Sequence, residues 1–256
     1  MKERTYPVAE IFGPTIQGEG VDQGVPCAFV RFGGCDYKCL WCDTPHAVLP
    51  ENVRKLERLT DKQIVDSLEA VSKVPWVILS GGNPALYPLG QLVRMLRGSG
   101  YKVAVETQAS RWHPWLASVD RLCFSPKPPS SGMMNPEAWD EVSDVLWTAE
   151  LAKLYEGDKA FLKIVVFDDT DYTWAKFVHE EFPRFKLFLS AGNDAGKTVG
   201  NPNRVDMRTS SEVKQDLLVK SRWLTEKVLN DEGLVNTEVV VQAQHHVLLW
   251  GNEQGV

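Results

Sequence analysis

Seven short apolar runs recur along this 256-residue chain: CAFVRF, WVILSGG, YKVAVET, RLCFSP, FLKIVVF, FKLFLSAG and TEVVVQA. Each is rich in β-branched or aromatic residues and nearly continuous in apolar character, as a strand covered on both faces is. Most of the intervals carry a helical period. TDKQIVDSLEAVSK offers Thr60 as N-cap with Gln63 three residues on, then Ile64, Val65, Leu68 and Val71 on one face. NPEAWDEVSDVLWTAEL has Asn135 as cap, Pro136 at the first helical position and a stripe of Trp139, Val142 and Leu146. Further helices are expected to start near Asp171 and Ser210. Strand alternating with helix predicts an α/β fold: a parallel sheet with crossover helices, open or curled into a barrel.

The polar interruptions have a fixed place in this pattern. CAFVRF runs into GGC, WVIL into SGGNP, VAVE into TQ, LCF into SPK and LFL into SAGND, so each break follows a strand. In a parallel α/β fold such breaks gather at the carboxyl edge of the sheet, where ligand sites are built. One large site is the expectation.

Composition excludes several classes. The net charge of -6 lacks the basic footprint that nucleic-acid binding requires. No apolar run approaches the roughly 20 residues of a membrane span. The opening MKERTYPVAEIFG has no apolar signal-like segment, which predicts a cytoplasmic protein. Of five cysteines, Cys27 and Cys123 lie within apolar runs and are expected in the core.

The other three form C-x-x-x-C-x-x-C at Cys35, Cys39 and Cys42, introduced by Gly33 and Gly34. Thiolates at this spacing favour zinc or an iron–sulfur cluster. With His46 as fourth ligand the loop would make a zinc-stabilised binding module. On a cubane of four irons, three cysteines leave one iron open to a chelating ligand.

The loop resembles that of the radical S-adenosylmethionine (SAM) superfamily, in which the open iron binds SAM and an electron from the cluster releases a 5′-deoxyadenosyl radical. A closer resemblance spans nearly the whole chain. EIFGPTIQGEG at Glu10 to Gly20, FVRFGGCDYKCLWCDT at Phe29 to Thr44, ILSGGNPAL at Ile78 to Leu86, ETQ at Glu106 to Gln108, SPKPPSS at Ser125 to Ser131 and the terminal HVLLWGNEQGV are similar to the 7-carboxy-7-deazaguanine synthase family. The resemblance implies one domain over residues 1–256, an incomplete (β/α) barrel with a parallel sheet of about six strands. Residues 1–25 would face the substrate and 232–256 would close over it. The implied reaction converts 6-carboxy-5,6,7,8-tetrahydropterin to 7-carboxy-7-deazaguanine with loss of ammonia, in the synthesis of queuosine and related 7-deazapurines. Its implied cofactors are a [4Fe-4S] cluster, SAM and magnesium; its implied partners are an electron donor such as flavodoxin or ferredoxin and a second copy of the chain. A glycyl-radical-enzyme activase is the nearer alternative.

Residue by residue, the resemblance implies Cys35, Cys39 and Cys42 as cluster ligands and Thr44 on magnesium. One hydroxyl holds a hard cation weakly, so water and substrate oxygens must complete the shell. Ile16, Gln17, Gly18, Glu19, Arg31, Ser80 and His246 would meet the pterin. A guanidinium such as Arg31 can take a substrate carboxylate with two parallel hydrogen bonds. Gln244 and His246 are expected in a final strand segment, QAQHHVLLWG. Tyr37, Trp41, Gly82, Glu106, Ser125, Lys127, Lys163, Ser190 and Asn193 would meet SAM, with Gly81, Gly192 and Asp194 beside them. Lys163 stands in an apolar strand and needs an anionic partner, for which a cofactor or substrate carboxylate would serve. Most superfamily members have Gly-Gly-Glu where this chain has Gly81, Gly82 and Asn83; an amide there accepts a hydrogen bond but adds no charge. No residue stands out as a general base.

Overall fold

The computed structural model describes residues 3–71, 73–193, 198–201, 207–253 and 255; Asp194, Gln254 and Val256 lie outside them. In chain order the elements are β1 (Thr5–Ile16), β2 (Pro26–Phe32), α1 (Pro45–Val48), α2 (Pro50–Val53), β3 (Glu57–Thr60), α3 (Asp61–Val71), β4 (Trp76–Gly81), α4 (Gly90–Gly98), β5 (Lys102–Thr107), β6 (Arg121–Phe124), α5 (Pro136–Leu151), β7 (Ala160–Val166), α6 (Asp169–Glu181), β8 (Leu187–Ala191), α7 (Ser210–Leu229), β9 (Val239–Gln242) and α8 (His245–Trp250).

Among the described residues nine strands form one sheet in the order β3-β1-β2-β4-β5-β6-β7-β8-β9. The part from β2 to β9 is parallel, seven strands where about six were expected. β1 pairs antiparallel with β2 on one side and β3 on the other. The order ends at β3 and β9, so the sheet is an open α/β barrel. β1 was not foreseen as a strand: Gly13-Pro14, joined by a cis peptide, interrupts its apolar pattern, and its register to β2 shifts twice.

The inner strands are two-sided. Val77, Leu79, Val103, Val105, Leu122, Phe124, Leu162, Ile164, Leu187 and Leu189 enter the main core with the helices. Alternate residues face the other way, because successive side chains in a strand point to opposite faces. Cys27, Ile78 and Ala104 pack with Phe29, and Cys123, Phe161 and Phe188 pack together, so both lone cysteines are core as expected. Two positions further along each strand this second face turns polar: Arg31 follows Phe29, Ser80 follows Ile78, Glu106 follows Ala104, Ser125 follows Cys123, Lys163 follows Phe161 and Ser190 follows Phe188. An apolar floor thus lies under a polar layer at the carboxyl edge.

The helices start where their caps predict. The Thr60 hydroxyl accepts from the Gln63 amide at 3.2 Å and the Gln63 side chain accepts from the Thr60 amide at 2.9 Å. Asn135 Oδ1 accepts from Ala138 N at 2.7 Å, and α6 and α7 begin close to Asp171 and Ser210. Ile64, Leu68, Val142 and Leu146 are fully buried, each worth about 1.5–3 kcal/mol. Val71 departs from the expected stripe: it ends α3 and is 40% exposed, beyond the reach of the β1 and α4 surface. The segment around His246 also departs, since β9 stops at Gln242 and His245–Trp250 is the helix α8, with Gln244 at its N-cap position. A six-residue apolar run does not by itself distinguish a buried strand from a buried helix turn.

Candidate active site

A cavity of about 620 Å³ opens at the carboxyl edge, walled by the β1–β2 connection, the cysteine loop, the ends of β2 and β4 to β7, and α8 with the residues after it. Of the cluster, magnesium, pterin and SAM residues proposed from the sequence, all line it except Ser190 and Gly192, and Asp194 lies outside the described residues. Ser190 has no exposed surface in β8 and its side chain does not reach the wall. Asn193 lines the wall and donates to Asn252 at 2.6 Å.

The three cysteines stand on the loop after β2 and share this cavity. Burial pushes the Cys35 thiol up to about 12 and Cys39 to about 11, and raises Cys42 as well. Thiols so placed are protonated at neutral pH and inert as nucleophiles; only a bound cationic centre would turn them into thiolate ligands. Among the described residues no three His, Cys, Asp or Glu side chains close on a single metal ion. His46 is turned away from a fourth-ligand role, with Nε2 3.3 Å from Glu10 Oε1. Three thiols that share a cavity without meeting at one point suit a polynuclear cluster and do not suit the zinc module.

The loop is held from several sides. Leu40 N donates to Ser131 O at 2.9 Å, and Trp41 Nε1 donates to Ser130 Oγ at 3.0 Å, which in turn donates to Asp171 Oδ2 at 2.6 Å. The Trp41 ring lies 5.1 Å from Phe167, with the Lys127 ammonium 5.8 Å above it; Lys127 also donates to Ser125 Oγ at 3.0 Å. The end of β4 passes so near that a Cβ on Gly82 would sit 2.0 Å from Gly34 O, and one on Gly81 2.2 Å from Phe32 O. The close approach allows Gly82 N to donate to Phe32 O and Asn83 N to Gly34 O, at 2.9 and 2.8 Å. Those two glycines therefore serve the packing of the cysteine loop, besides lining the cavity.

Asn83 corrects its expected part. It is fully buried, absent from the wall, and saturated: Oδ1 accepts from Ala85 N at 3.1 Å and Thr107 Oγ1 at 2.9 Å, and Nδ2 donates to Asp36 Oδ1 at 3.0 Å and Ser110 Oγ at 3.1 Å. An amide oxygen has two lone pairs, so no acceptor capacity remains for a cofactor ammonium.

Lys163 finds its anions within the protein. Its ammonium lies 3.0 Å from Glu19 Oε2 and 3.3 Å from Glu106 Oε1, in place of the cofactor or substrate carboxylate that the sequence suggested. Burial alone would raise the Glu19 carboxyl, but the charges of Lys163 and His246 and the hydrogen bonds around it outweigh burial and hold it down at about 2. The same carboxylates raise the Lys163 ammonium well above its ordinary range against the effect of burial. Gln17 Nε2 donates to Glu106 Oε1 at 3.1 Å, which ties the β1–β2 connection into the same group.

The β1–β2 connection meets the start of α8 beside this group. His245 N donates to Gly18 O at 3.0 Å, Gln23 Nε2 bridges Gly18 O and Ala243 O, and His246 lies so close that a Cβ on Gly18 would stand 1.8 Å from its Nδ1. Arg31 also lines the cavity, its Nε paired with Glu10 and its guanidinium 6.0 Å from the Phe12 ring. Ser80 Oγ, Tyr37 Oη and Gln244 Oε1 are buried at this cavity with no hydrogen-bond partner among the described residues, which fits a ligand with polar edges.

Sequence reasoning missed Glu10, Phe12, Asp43, Gln108 and Val247, which also line the wall. All five stood inside the quoted motifs, and the two-residue spacing of Glu10 and Phe12, which puts them on one face of β1, was the available signal for that pair.

Residues 29–125 match the radical SAM superfamily model. The chain is 38% identical over 253 residues to the 7-carboxy-7-deazaguanine synthase of Bacillus cereus, covering 98% of each chain. It is 36% identical over 257 residues to the enzyme of that name from Bacillus subtilis, again over 98% of each. Among solved structures the fold is similar to QueE from Escherichia coli, with a TM-score of 0.58 at 18% identity over 93% of this chain and 94% of that one. Membership of the superfamily implies a [4Fe-4S] cluster and SAM, and the cysteine loop fits the first. Among the described residues no helix is long and apolar enough to cross a membrane. Near-complete coverage at this identity shows that the chain is an enzyme belonging to the 7-carboxy-7-deazaguanine synthase family of the radical SAM superfamily.

Proposed function

We propose that this enzyme converts 6-carboxy-5,6,7,8-tetrahydropterin to 7-carboxy-7-deazaguanine with release of ammonia, on the way to queuosine and related 7-deazapurines. The observation that carries the reading is the common wall: residues from Ile16 to His246, drawn from distant motifs and assigned to three different ligands, line one cavity of about 620 Å³.

Cys35, Cys39 and Cys42 would hold the cluster, with Tyr37, Trp41, Gly82, Glu106, Ser125, Lys127 and Asn193 around SAM. When bound, the cluster and SAM supply one-electron bond cleavage and hydrogen-atom abstraction, chemistry that side chains cannot supply. The protein's share is to hold the reacting carbon in place and exclude competing hydrogens. Arg31, kept in orientation by Glu10, offers its remaining guanidinium N–H groups to the substrate carboxylate. Ile16, Gln17, Gly18, Glu19, Ser80 and His246 would read the ring edge. Lys163 acts here by fixing Glu19 and Glu106, so its part is positioning. Thr44 Oγ1, 3.3 Å from Cys42 Sγ, would give magnesium one ligand beside the cluster loop, and substrate oxygens and water the rest. A flavodoxin or ferredoxin would deliver the electron, and the chain would work as a homodimer in the cytoplasm.

Anaerobic reconstitution with iron and sulfide, followed by turnover of carboxytetrahydropterin with SAM, magnesium and a reductant, tests the reading. The expected result is 7-carboxy-7-deazaguanine in amounts exceeding the SAM consumed. Full cluster occupancy with reductive cleavage of SAM but no deazapurine would overturn the substrate assignment.

A further inference from the structure

Asp36 follows the first cysteine of the loop and does not line the cavity. Its side chain is 18% exposed and gathers donors from three separate places. Asn83 Nδ2, after β4, donates to Oδ1 at 3.0 Å, and Gln108 Nε2, after β5, donates to the same oxygen at 2.5 Å. Ser110 Oγ donates to Oδ2 at 2.7 Å, and the exposed Arg111 Nε lies 3.6 Å from that oxygen. Asn83, Gln108 and Ser110 are at most 5% exposed, so their donors have no water to turn to. The Gln108 amide also points at Cys35 Sγ, 3.5 Å away, where Tyr37 N donates as well at 3.4 Å.

We propose that Asp36 is the positioning residue of the cluster loop: its carboxylate, gripped by Asn83, Gln108 and Ser110, fixes Cys35 and aims the Gln108 amide at the Cys35 sulfur. The inference builds on the [4Fe-4S] reading of the site. It also accounts for the amide at the position where most of the superfamily carries a glutamate. A carboxylate at position 83 would stand about 3 Å from Asp36, where like charges oppose one another; an amide there donates instead. Charge and hydrogen-bonding direction at positions 36 and 83 are therefore coupled. Hydrogen bonds to a cluster's sulfur ligands raise its potential, so the Gln108 amide makes the centre easier to reduce.

The full chain, reconstituted anaerobically, tests this with Asn83→Asp, the exchange variant Asp36→Asn with Asn83→Asp, and Gln108→Leu. Asn83→Asp, nearly isosteric, is expected to hold about fivefold less iron and sulfide per folded chain, because two carboxylates face each other. The exchange variant, which restores one acid and one amide, should regain most of that loss. Gln108→Leu should keep its iron but shift the reduction equilibrium about tenfold, or 59 mV more negative for one electron, in a spectroscopic redox titration. Normal iron content in Asn83→Asp, or failure of the exchange to recover it, overturns the coupling. Should Asn83→Asp not fold, Gln108→Leu decides: an unchanged potential overturns the proposal and a lowered one supports it. A parent chain that assembles no cluster sinks the reading of the site itself, which is a separate result from a parent cluster indifferent to these variants.

Discussion

The Lys163 ammonium stands 3.0 Å from Glu19 Oε2 and 3.3 Å from Glu106 Oε1, so one cation from β7 ties the end of β5 to the β1–β2 connection. The Lys163 and Glu19 side chains are 7% and 11% exposed, which leaves little water to screen either charge. Lys163→Met would strand two carboxylates at the cavity. A loss of about 3–5 kcal/mol in urea unfolding is expected, since an unpaired buried charge costs that much. Adding Glu19→Gln should recover part of it.

The same pairing sets the acid limb of stability. Glu19 is held at about 2, below its ordinary 4.5, so its contribution is fully present above 4.5 and is lost as pH falls from 4.5 toward 2. Urea midpoints measured across that window should fall more steeply for the parent than for Glu19→Gln. Parallel slopes would remove Glu19 from the account.

Cys39 is 5% exposed and, like Cys35 and Cys42, has only a metal centre to make it a thiolate. Cys39→Ala should abolish the brown cluster absorbance and all SAM cleavage together, while circular dichroism stays near that of the parent. Retention of a full cluster would mean that the fourth-ligand logic of the loop is wrong.

Arg31→Ala should separate binding from assembly. The side chain lines the cavity and bonds Glu10, and among the described residues it makes no hydrogen bond to a cysteine sulfur. Iron content should be unchanged and substrate affinity should drop by about tenfold or more, the worth of a charge-assisted pair. Unaltered affinity in equilibrium dialysis would count against the carboxylate role.

Gly18→Ala places a methyl 1.8 Å from His246 Nδ1, so either the β1–β2 connection or α8 must move. The expected outcome is weaker pterin binding at undiminished cluster content, because the atoms nearest Gly18 belong to His246 and none to a cysteine. Loss of iron in this variant would show that the two walls are not independent.

The seven parallel strands and the four longest helices, α3, α5, α6 and α7, were legible because their signals are local: apolar runs of strand length, capping pairs such as Thr60 with Gln63, and polar breaks after the strands. The gathering of Cys35, Arg31, Glu106 and Lys163 at one edge followed from that same order. What escaped depends on contacts between distant positions. Nothing in the string SGGNP indicates that Asn83 faces Asp36, or in FLKIVVF that Lys163 already has two carboxylates. α8 was read as strand because six apolar and aromatic residues carry too few turns for a helical period to emerge.

The alternation of floor and polar layer limits how the inner strands can change in length. A single inserted residue before Phe161 would send Lys163 into the helix-facing core and bring Leu162 to the cavity, one error at each face. Two inserted residues would restore the parity at the cost of one rung of height. Viable indels inside these strands should therefore come in pairs, while the loops beyond the carboxyl edge can vary by single residues.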